Sequence, residues 1–509
     1  MTVDTPDWVR DAVFYQIFPD RFAISPRVAK PGPLEPWVAP PTQHGFKGGD
    51  LLGIAERLDD LLDLGISALY LTPVVASASN HRYHAYDYLR VDPLLGGDDA
   101  LRELLDRAHE RGMRVILDGV LNHSGRGFWP FHHVIENGAA SPYRHWFHLD
   151  EAVLAGERPL DPYPDRGPRR RWATPRGYRS WWDLPALPKL NTSDPVAREY
   201  LMGVAEHWLR FGADGWRLDV PQEIDDPSFW HEFRARCRAV RDDAYLVGEI
   251  WDEAPDWLRG DRFDALMNYP LGTAILGFAG GSSLDHGLLR RHDLYRRMVQ
   301  PLDGPVFAER LMHLMTNYDP DVVAVQLNLI GSHDTPRALS VLGGDRLALR
   351  LATLLQAVLP GAPCVYYGDE VGLEGRLDPD NRRSMPTDPA LVDWSLRDFV
   401  RAAMTARRDH VALRRGDVEV VAAAGGALAI LRRSDDRLGL VAVNAGEAPA
   451  TLDVALPDAR ILRPIALPDL PIGEIHPAGD GLADGSSGDG TIERRVVLPP
   501  RGVLVLVDD

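Results

Sequence analysis

From residue 13 to about residue 415, apolar runs of four to six residues alternate with amphipathic stretches. Eight runs carry the pattern: 13–17, 68–72, 114–118, 215–219, 244–249, 263–267, 325–330 and 364–367. Their near-continuous apolar character predicts strands buried on both faces, as in a parallel sheet. The stretches between them read as helices. In 98–111, Leu101, Leu104, Leu105 and Ala108 fall on one face, which is the period of an amphipathic helix. Segments 195–211, 227–240 and 345–359 read similarly. Eight strands with intervening helices predict an α/β fold, a (β/α)8 TIM barrel. No internal repeat interrupts the pattern.

Two regions depart from it. About 95 residues separate the third and fourth strands, too many for a single crossover. The span 124–191 is rich in Trp, Pro, Arg and Gly and is expected to be an inserted subdomain. Its Arg169, Arg170, Arg171 and Trp172 read as a solvated surface, and its Trp181 and Trp182 as buried, with a surface platform for glycans as the alternative. From about residue 417 the period falls to two, with strands expected at 418–423, 428–432, 439–444, 450–454 and 503–507. Residues 479–490 read as a flexible loop. The expected division is a catalytic barrel (1–123 and 192–415), an inserted subdomain (124–191) and a C-terminal antiparallel β domain (416–509).

Length and composition narrow the function. At 509 residues the chain has room for about three domains. With 45% hydrophobic and 26% charged residues it is ordinary globular material. Its net charge of −18 argues against nucleic acid or an anionic membrane as partner. Two cysteines, Cys237 and Cys364, exclude a disulfide framework and suit a reducing compartment. The first residues show no basic segment followed by an apolar run, and no stretch reaches 18 consecutive apolar residues. A cytoplasmic location without a membrane anchor is the expectation.

The chemistry sits at strand ends, where TIM barrels carry their reactive groups. The third strand ends DGVLNH (118–123), the fourth GWRLD (215–219), the fifth GEIW (248–251) and the seventh GSHD (331–334). Asp118, Asp219, Glu249 and Asp334 therefore share one rim, with His123, Arg217 and His333 beside them. A lone acid there would be a structural salt bridge. Four together cost free energy unless chemistry uses their mutual perturbation. Glycoside hydrolysis needs such a set, with one carboxylate to attack the anomeric carbon and one carboxylic acid to protonate the leaving oxygen.

At these residues the sequence resembles the α-amylase family, glycoside hydrolase family 13. DGVLNH, GWRLDVPQE, GEIW and LIGSHD match its four conserved regions in order and spacing. LPKLN (187–191) resembles the signature of the neopullulanase, cyclomaltodextrinase and maltogenic amylase subgroup. YQIFPDRF (15–22), GGDLLGI (48–54), YYGDEVGLEG (366–375) and DPDNRRSMP (378–386) match as well. The likeness spans roughly residues 8–415.

The resemblance implies a role for each matching residue. Asp219 would be the nucleophile, Glu249 the general acid and base, and Asp334 the transition-state stabiliser. Arg217, two residues before Asp219 on the same strand, faces the same side and would keep it ionised. His123 and His333 would bind hydroxyls of the sugar at the cleavage point, and Tyr83 would stack on it. Asp378 and Arg382 would form a further sugar-binding pair. Trp251 would lie on the leaving-group side, and Asp118 would support the site structurally. A retaining mechanism would place the carboxyls of Asp219 and Glu249 about 5–5.5 Å apart and raise the pKa of Glu249.

Four departures from the family pattern stand out. The subgroup's N-terminal β domain has no counterpart before Trp8, which leaves monomer and homodimer both open. His84 replaces an Asp near the non-reducing end. Val220-Pro221-Gln222-Glu223 replaces VANE after the nucleophile. AISPRVAKPG (23–32) replaces a calcium loop and offers no oxygen-ligand cluster, so no cofactor and no metal are expected there, with Ca²⁺ near the inserted subdomain left as an alternative. The expected activity is hydrolysis of α-1,4 bonds in maltooligosaccharides, cyclodextrins or pullulan, with transglycosylation as a side activity. The alternatives are an exo-acting α-glucosidase, a glucosyl or maltosyl transferase on small sugars, and, most remotely, a non-catalytic binding relative.

Overall fold

The computed structural model describes residues 3–165, 176–457, 462–478 and 491–508. The stretch Arg169 to Trp172 and the loop 479–490 lie outside the described residues.

Eight parallel strands form the barrel: β1 (Phe14–Ile17), β2 (Ala68–Leu71), β3 (Arg114–Gly119), β4 (Gly215–Leu218), β5 (Tyr245–Gly248), β6 (Ala265–Leu266), β7 (Leu327–Asn328) and β8 (Ala362–Tyr366). Their order is β6-β5-β4-β3-β2-β1-β8-β7. A parallel bridge between Met267 and Leu327 joins the two ends of that order. Six of the strands are shorter than the apolar runs that predicted them, most of all β6 and β7, whereas β3 and β8 each run one residue longer. There the ring is completed through the Met267 bridge and the Asn268 amide, which donates to Leu327 O.

Period-2 alternation sorts the side chains. Phe14, Ala68, Tyr70, Ile116, Tyr245, Val247, Ala265, Met267, Leu327, Ala362 and Cys364 pack together in one cluster, the barrel interior. The intervening residues, such as Tyr15, Leu69, Val115, Leu117 and Leu246, belong to the larger cluster shared with the helices. Gly215 is required by close approach, because a Cβ there would meet Tyr245 O at 2.2 Å.

The crossover helices begin where the sequence signals them. Asp194 caps Pro195–Phe211 by accepting from the amides of Val196 and Ala197. Asp226 caps Pro227–Val240 through the amide of Ser228, and both helices carry Pro in their first turn. Helices Tyr269–Gly280, Gly304–Thr316 and Trp394–Asp409 complete the surround. Tyr269–Gly280 is buried on every side, so no amphipathic period marks it.

Between β3 and the helix Pro195–Phe211, segments without long helices or strands pack around Phe128, Phe131, Trp146, Phe147 and Tyr178. This inserted region is tied back to the barrel by the bridge between His123 and Lys189.

After the barrel come β9 (Asp417–Ala424), β10 (Ala427–Ser434), β11 (Arg437–Asn444), β12 (Ala450–Pro457), β13 (Arg463–Pro464), β14 (Glu474–Pro477), β15 (Thr491–Leu498) and β16 (Val503–Val507). They make two antiparallel sheets, β9-β10-β11-β16-β13 and β12-β15-β14. β15 completes the second sheet although its Glu-Arg-Arg core hides the alternation. No described helix is long and apolar enough to cross a membrane.

Candidate active site

The interior parity of the barrel continues upward into charge. On β3 the residue two beyond Ile116 is Asp118, on β4 Gly215 is followed by Arg217 and Asp219, and on β5 Val247 is followed by Glu249. Strand geometry thus aims four polar side chains into one space at the C-terminal end of the barrel.

Arg217 holds the centre. Its guanidinium is fully buried and its Nη1 donates to Asp118 Oδ1 and Oδ2 at 2.8 and 2.9 Å and to Asp219 Oδ1 at 3.1 Å. Its Nη2 lies 2.7 Å from Glu249 Oε2 as an ion pair, out of line for a hydrogen bond. The Nε donates to Met267 Sδ at 3.4 Å. Asp219 Oδ2 is buried and has no hydrogen-bond partner among the described residues.

Glu249 follows β5 and is held from both sides. Its Oε1 accepts from Trp251 Nε1 at 3.1 Å and its Oε2 from the Val220 amide at 3.2 Å. That amide reaches it because Val220 adopts a left-handed backbone, φ 37° and ψ 53°, which is strained for a β-branched residue. Burial pushes the Glu249 carboxyl up to about 7; Arg217 opposes the rise and Asp334 adds to it. Trp251 stacks on Tyr269 with centroids 4.1 Å apart.

Asp334 follows β7. Its Oδ2 lies 3.2 Å from His333 Nε2 and its Oδ1 accepts from Arg382 Nη2 at 3.3 Å. Burial alone would raise this carboxyl, but His333, Arg382, Arg217 and a hydrogen bond with Glu249 outweigh it and hold it below the usual carboxylate range. Arg382 also donates through Nε to His333 O at 2.9 Å and pairs through Nη1 with Asp378 at 3.1 Å. Asp219 is pushed well up, first by burial, with Arg217 opposing and Glu249, Asp118 and Asp334 reinforcing. One guanidinium cannot neutralise these acids together, so the cluster binds protons as a unit.

The remaining expected residues line the same space. Tyr83 donates from its hydroxyl to Asp118 Oδ2 at 2.8 Å and stacks parallel to His333, centroids 5.4 Å apart. His123 is fully buried and held down to about 3 by that burial, so it is neutral. Its Nε2 has no hydrogen-bond partner among the described residues. His84 is kept down at about 4, by burial first and then by Arg126 and His44. Asp219, Glu249, Asp334, Tyr83, Arg217, His333 and Arg382 form one connected network, with Trp251 joined to it through Glu249 and Asp378 through Arg382. His123 stands apart from the acids and joins an aromatic stack.

That stack corrects one expectation. His123 lies parallel to Trp181 at 4.8 Å, and Trp181 to Trp182 at 4.7 Å. Trp182 is 76% exposed. Left-handed backbone at Trp182 and Asp183 (φ 50° and 58°) turns the second ring outward rather than into the subdomain. The stack runs from a buried imidazole to an open aromatic face.

Several contributors were not among the expected residues. Tyr70 donates to Asp118 Oδ2 at 2.8 Å. Gln16 reaches His333 Nδ1 at 2.8 Å. Asn381, wholly buried, donates to the carbonyls of His333 and Thr335 at 2.8 and 2.9 Å and so clamps the chain on both sides of Asp334. For Gln16 and Tyr70 the parity of β1 and β2 was the available signal, since each shares a face with interior residues.

The segment that replaces the calcium loop does not fit that ion. Lys30 Nζ lies 3.0 Å from Asp50 Oδ2 and donates to Leu94 O at 2.7 Å. An ammonium thus stands where a divalent cation would need oxygen ligands. Asp50 in turn accepts from the amides of Ser25 and Gly53.

Comparison with known proteins now bears on this geometry. The sequence profile of the family described as "Alpha amylase, catalytic domain" matches residues 16–412. The chain belongs to the α-amylase family. It is 44% identical over 420 residues to a cyclomaltodextrinase of Geobacillus thermopakistaniensis (strain MAS1), covering 82% of this chain and 66% of that protein. Among solved structures, a debranching enzyme from Nostoc punctiforme superposes with a TM-score of 0.86 at 41% identity, covering 99% of this chain and 100% of that one. A cyclic α-maltosyl-(1→6)-maltose hydrolase from Arthrobacter globiformis gives a TM-score of 0.80 at 35% identity, covering all of both chains. The α-amylase family chain described here therefore spans just under two thirds of the cyclomaltodextrinase and the full length of the other two.

Proposed function

We propose that this chain is a retaining glycoside hydrolase that cleaves α-1,4-glucosidic bonds in maltooligosaccharides, cyclodextrins or pullulan. The observation that carries the reading is the pairing of Asp219, whose Oδ2 has no hydrogen-bond partner among the described residues, with Glu249, whose carboxyl burial pushes up to about 7. Both sit at the ends of neighbouring strands on the same guanidinium.

In the first step Asp219 Oδ2 forms a bond to the anomeric carbon while the glycosidic C–O bond breaks. Glu249 gives its proton to the departing oxygen. Arg217 donates in line to Asp219 and only flanks Glu249, which supports leaving the proton on Glu249. In the second step Glu249, now a carboxylate, takes a proton from water as that water attacks the anomeric carbon and frees Asp219. Two inversions give net retention. Asp334, held ionised by Arg382 and His333, binds hydroxyls of the distorted ring. His123, His333 and Tyr83 bind the sugar at the cleavage point, Asp378 and Arg382 the next one, and Trp251 lies on the leaving-group side. The work is divided among a barrel (1–123 and 192–415), an inserted subdomain (124–191) and a C-terminal β domain (416–509). The setting is a cytoplasmic monomer or homodimer.

One observation supports a second reading. The two solved relatives matched end to end are named for debranching and for a cyclic sugar with α-1,6 links, whereas the cyclomaltodextrinase extends well beyond this chain. Under that reading the enzyme also accepts maltosyl units joined through α-1,6 bonds. Product analysis on β-cyclodextrin, pullulan, soluble starch, maltotriose, cyclic maltosyl-maltose and a branched maltooligosaccharide separates the two. Ring opening with maltose as main product supports the first. Preferential cleavage of the α-1,6-containing sugars supports the second. Glucose alone from short oligosaccharides would replace both with an exo-glucosidase.

A further inference from the structure

Gln16 lies on β1, two residues beyond the interior Phe14, and its side chain is buried. Its Nε2 stands 2.8 Å from His333 Nδ1. The other ring nitrogen of His333 stands 2.5 Å from Tyr83 Oη and 3.2 Å from Asp334 Oδ2.

The protons of this chain of contacts can be placed by elimination. Asp118 is paired with Arg217 and accepts from both Tyr70 and Tyr83. The single hydroxyl proton of Tyr83 therefore points to Asp118, and its oxygen, which also accepts from Arg217 Nη1 at 3.4 Å, can hold the close contact with His333 Nε2 only by accepting from it. Asp334, an ionised carboxylate beside Arg382, also needs a donor at that nitrogen. A neutral imidazole carries one N–H. If it is on Nε2, Nδ1 is a bare acceptor, and among the described residues the amide N–H of Gln16 faces it. Burial keeps His333 neutral, holding it down to about 3.

We propose that Gln16 is a positioning residue: by donating to His333 Nδ1 it locks the Nε2–H tautomer that faces Asp334 and Tyr83. In the other tautomer the Nε2 lone pair would face a carboxylate and a hydroxyl oxygen with no proton to give. Asp334 would lose one of its two holders, and the stacked Tyr83 would lose its link to the His333 ring. The kinetic consequence rests on the proposed function; the tautomer itself does not.

The test is two-bond ¹H–¹⁵N correlation on the full chain labelled with ¹⁵N-histidine. His333 is assigned by the signals missing from His333→Gln. Near pH 7 the wild type should show an unprotonated Nδ1 and a protonated Nε2. In Gln16→Leu and Gln16→Met the two nitrogens should move toward tautomeric averaging. The kcat on whichever sugar is turned over should fall about tenfold or more with a smaller change in KM, the scale seen when a tautomer-fixing partner is removed. A protonated Nδ1 in the wild type overturns the proposal, as does an unchanged spectrum in a folded variant. If neither variant folds, the wild-type spectrum decides, since a protonated Nδ1 leaves Gln16 nothing to donate to. The expected tautomer in a chain that cleaves no sugar would count against the proposed function and leave the positioning role standing.

Discussion

Arg217 donates to Asp219 Oδ1 at 3.1 Å and leaves the buried Oδ2 of that carboxyl without a hydrogen-bond partner among the described residues. One oxygen is anchored, and in the proposed mechanism the other attacks. Asp219→Asn should therefore abolish turnover, with a loss of kcat on the order of 10⁴-fold. Arg217→Lys keeps the charge but not the planar fork that touches Asp118, Asp219 and Glu249. It should cost about 10²-fold in kcat. Steady-state assays on the best substrate measure both, with circular dichroism as the check on folding.

Burial pushes the Glu249 carboxyl up to about 7, and in the proposed mechanism it serves as the acid, so activity should decline as pH rises through about 7. Stability follows the same sign. The unfolded carboxyl ionises near 4.3, whereas the folded one keeps its proton to about 7. Between those values the folded state holds the extra proton, so stability contributed by this group falls as pH rises. Glu249→Gln cannot ionise and should be inactive, yet more resistant to urea than the wild type at pH 8. Equal urea midpoints at pH 8 would contradict the raised pKa.

These features differ in how far the sequence reveals them. The barrel was legible because buried parallel strands leave unbroken apolar runs, and the acids because each ends such a run. Trp182 was misread because nothing in the dipeptide signals the left-handed backbone that turns it outward. Asn381 and Gln16 were invisible for another reason. An amide is chemically bland in a sequence, and its importance comes from partners far along the chain, 317 residues away for Gln16 and 48 for Asn381. Helix Tyr269–Gly280 escaped because total burial erases amphipathicity.

Trp182 presents an open ring at the end of the His123–Trp181–Trp182 stack. Trp182→Ala should leave stability unchanged, because the ring is mostly in solvent. It should raise KM for longer oligosaccharides by about 3–10-fold, the worth of one aromatic contact, while maltotriose changes less. An equal effect on all lengths would remove the stack from the sugar path.

Lys30 ties segment 23–32 to Asp50 and Leu94. Lys30→Ala leaves the buried Asp50 carboxylate without its cation and should cost about 2–3 kcal/mol of stability. A chelator such as EDTA should leave the wild-type melting temperature unmoved. A large drop with EDTA, restored by Ca²⁺, would show a metal role that this segment does not supply.

The central claim is that Asp219 forms a covalent glycosyl–enzyme. Trapping with a fluorinated maltosyl fluoride, followed by peptide mass spectrometry, tests it most directly. The account predicts one added glycosyl mass on the peptide carrying Asp219, and none in Asp219→Asn. An adduct on a different carboxylate, or turnover of the reagent to a β-configured sugar without any adduct, would contradict it.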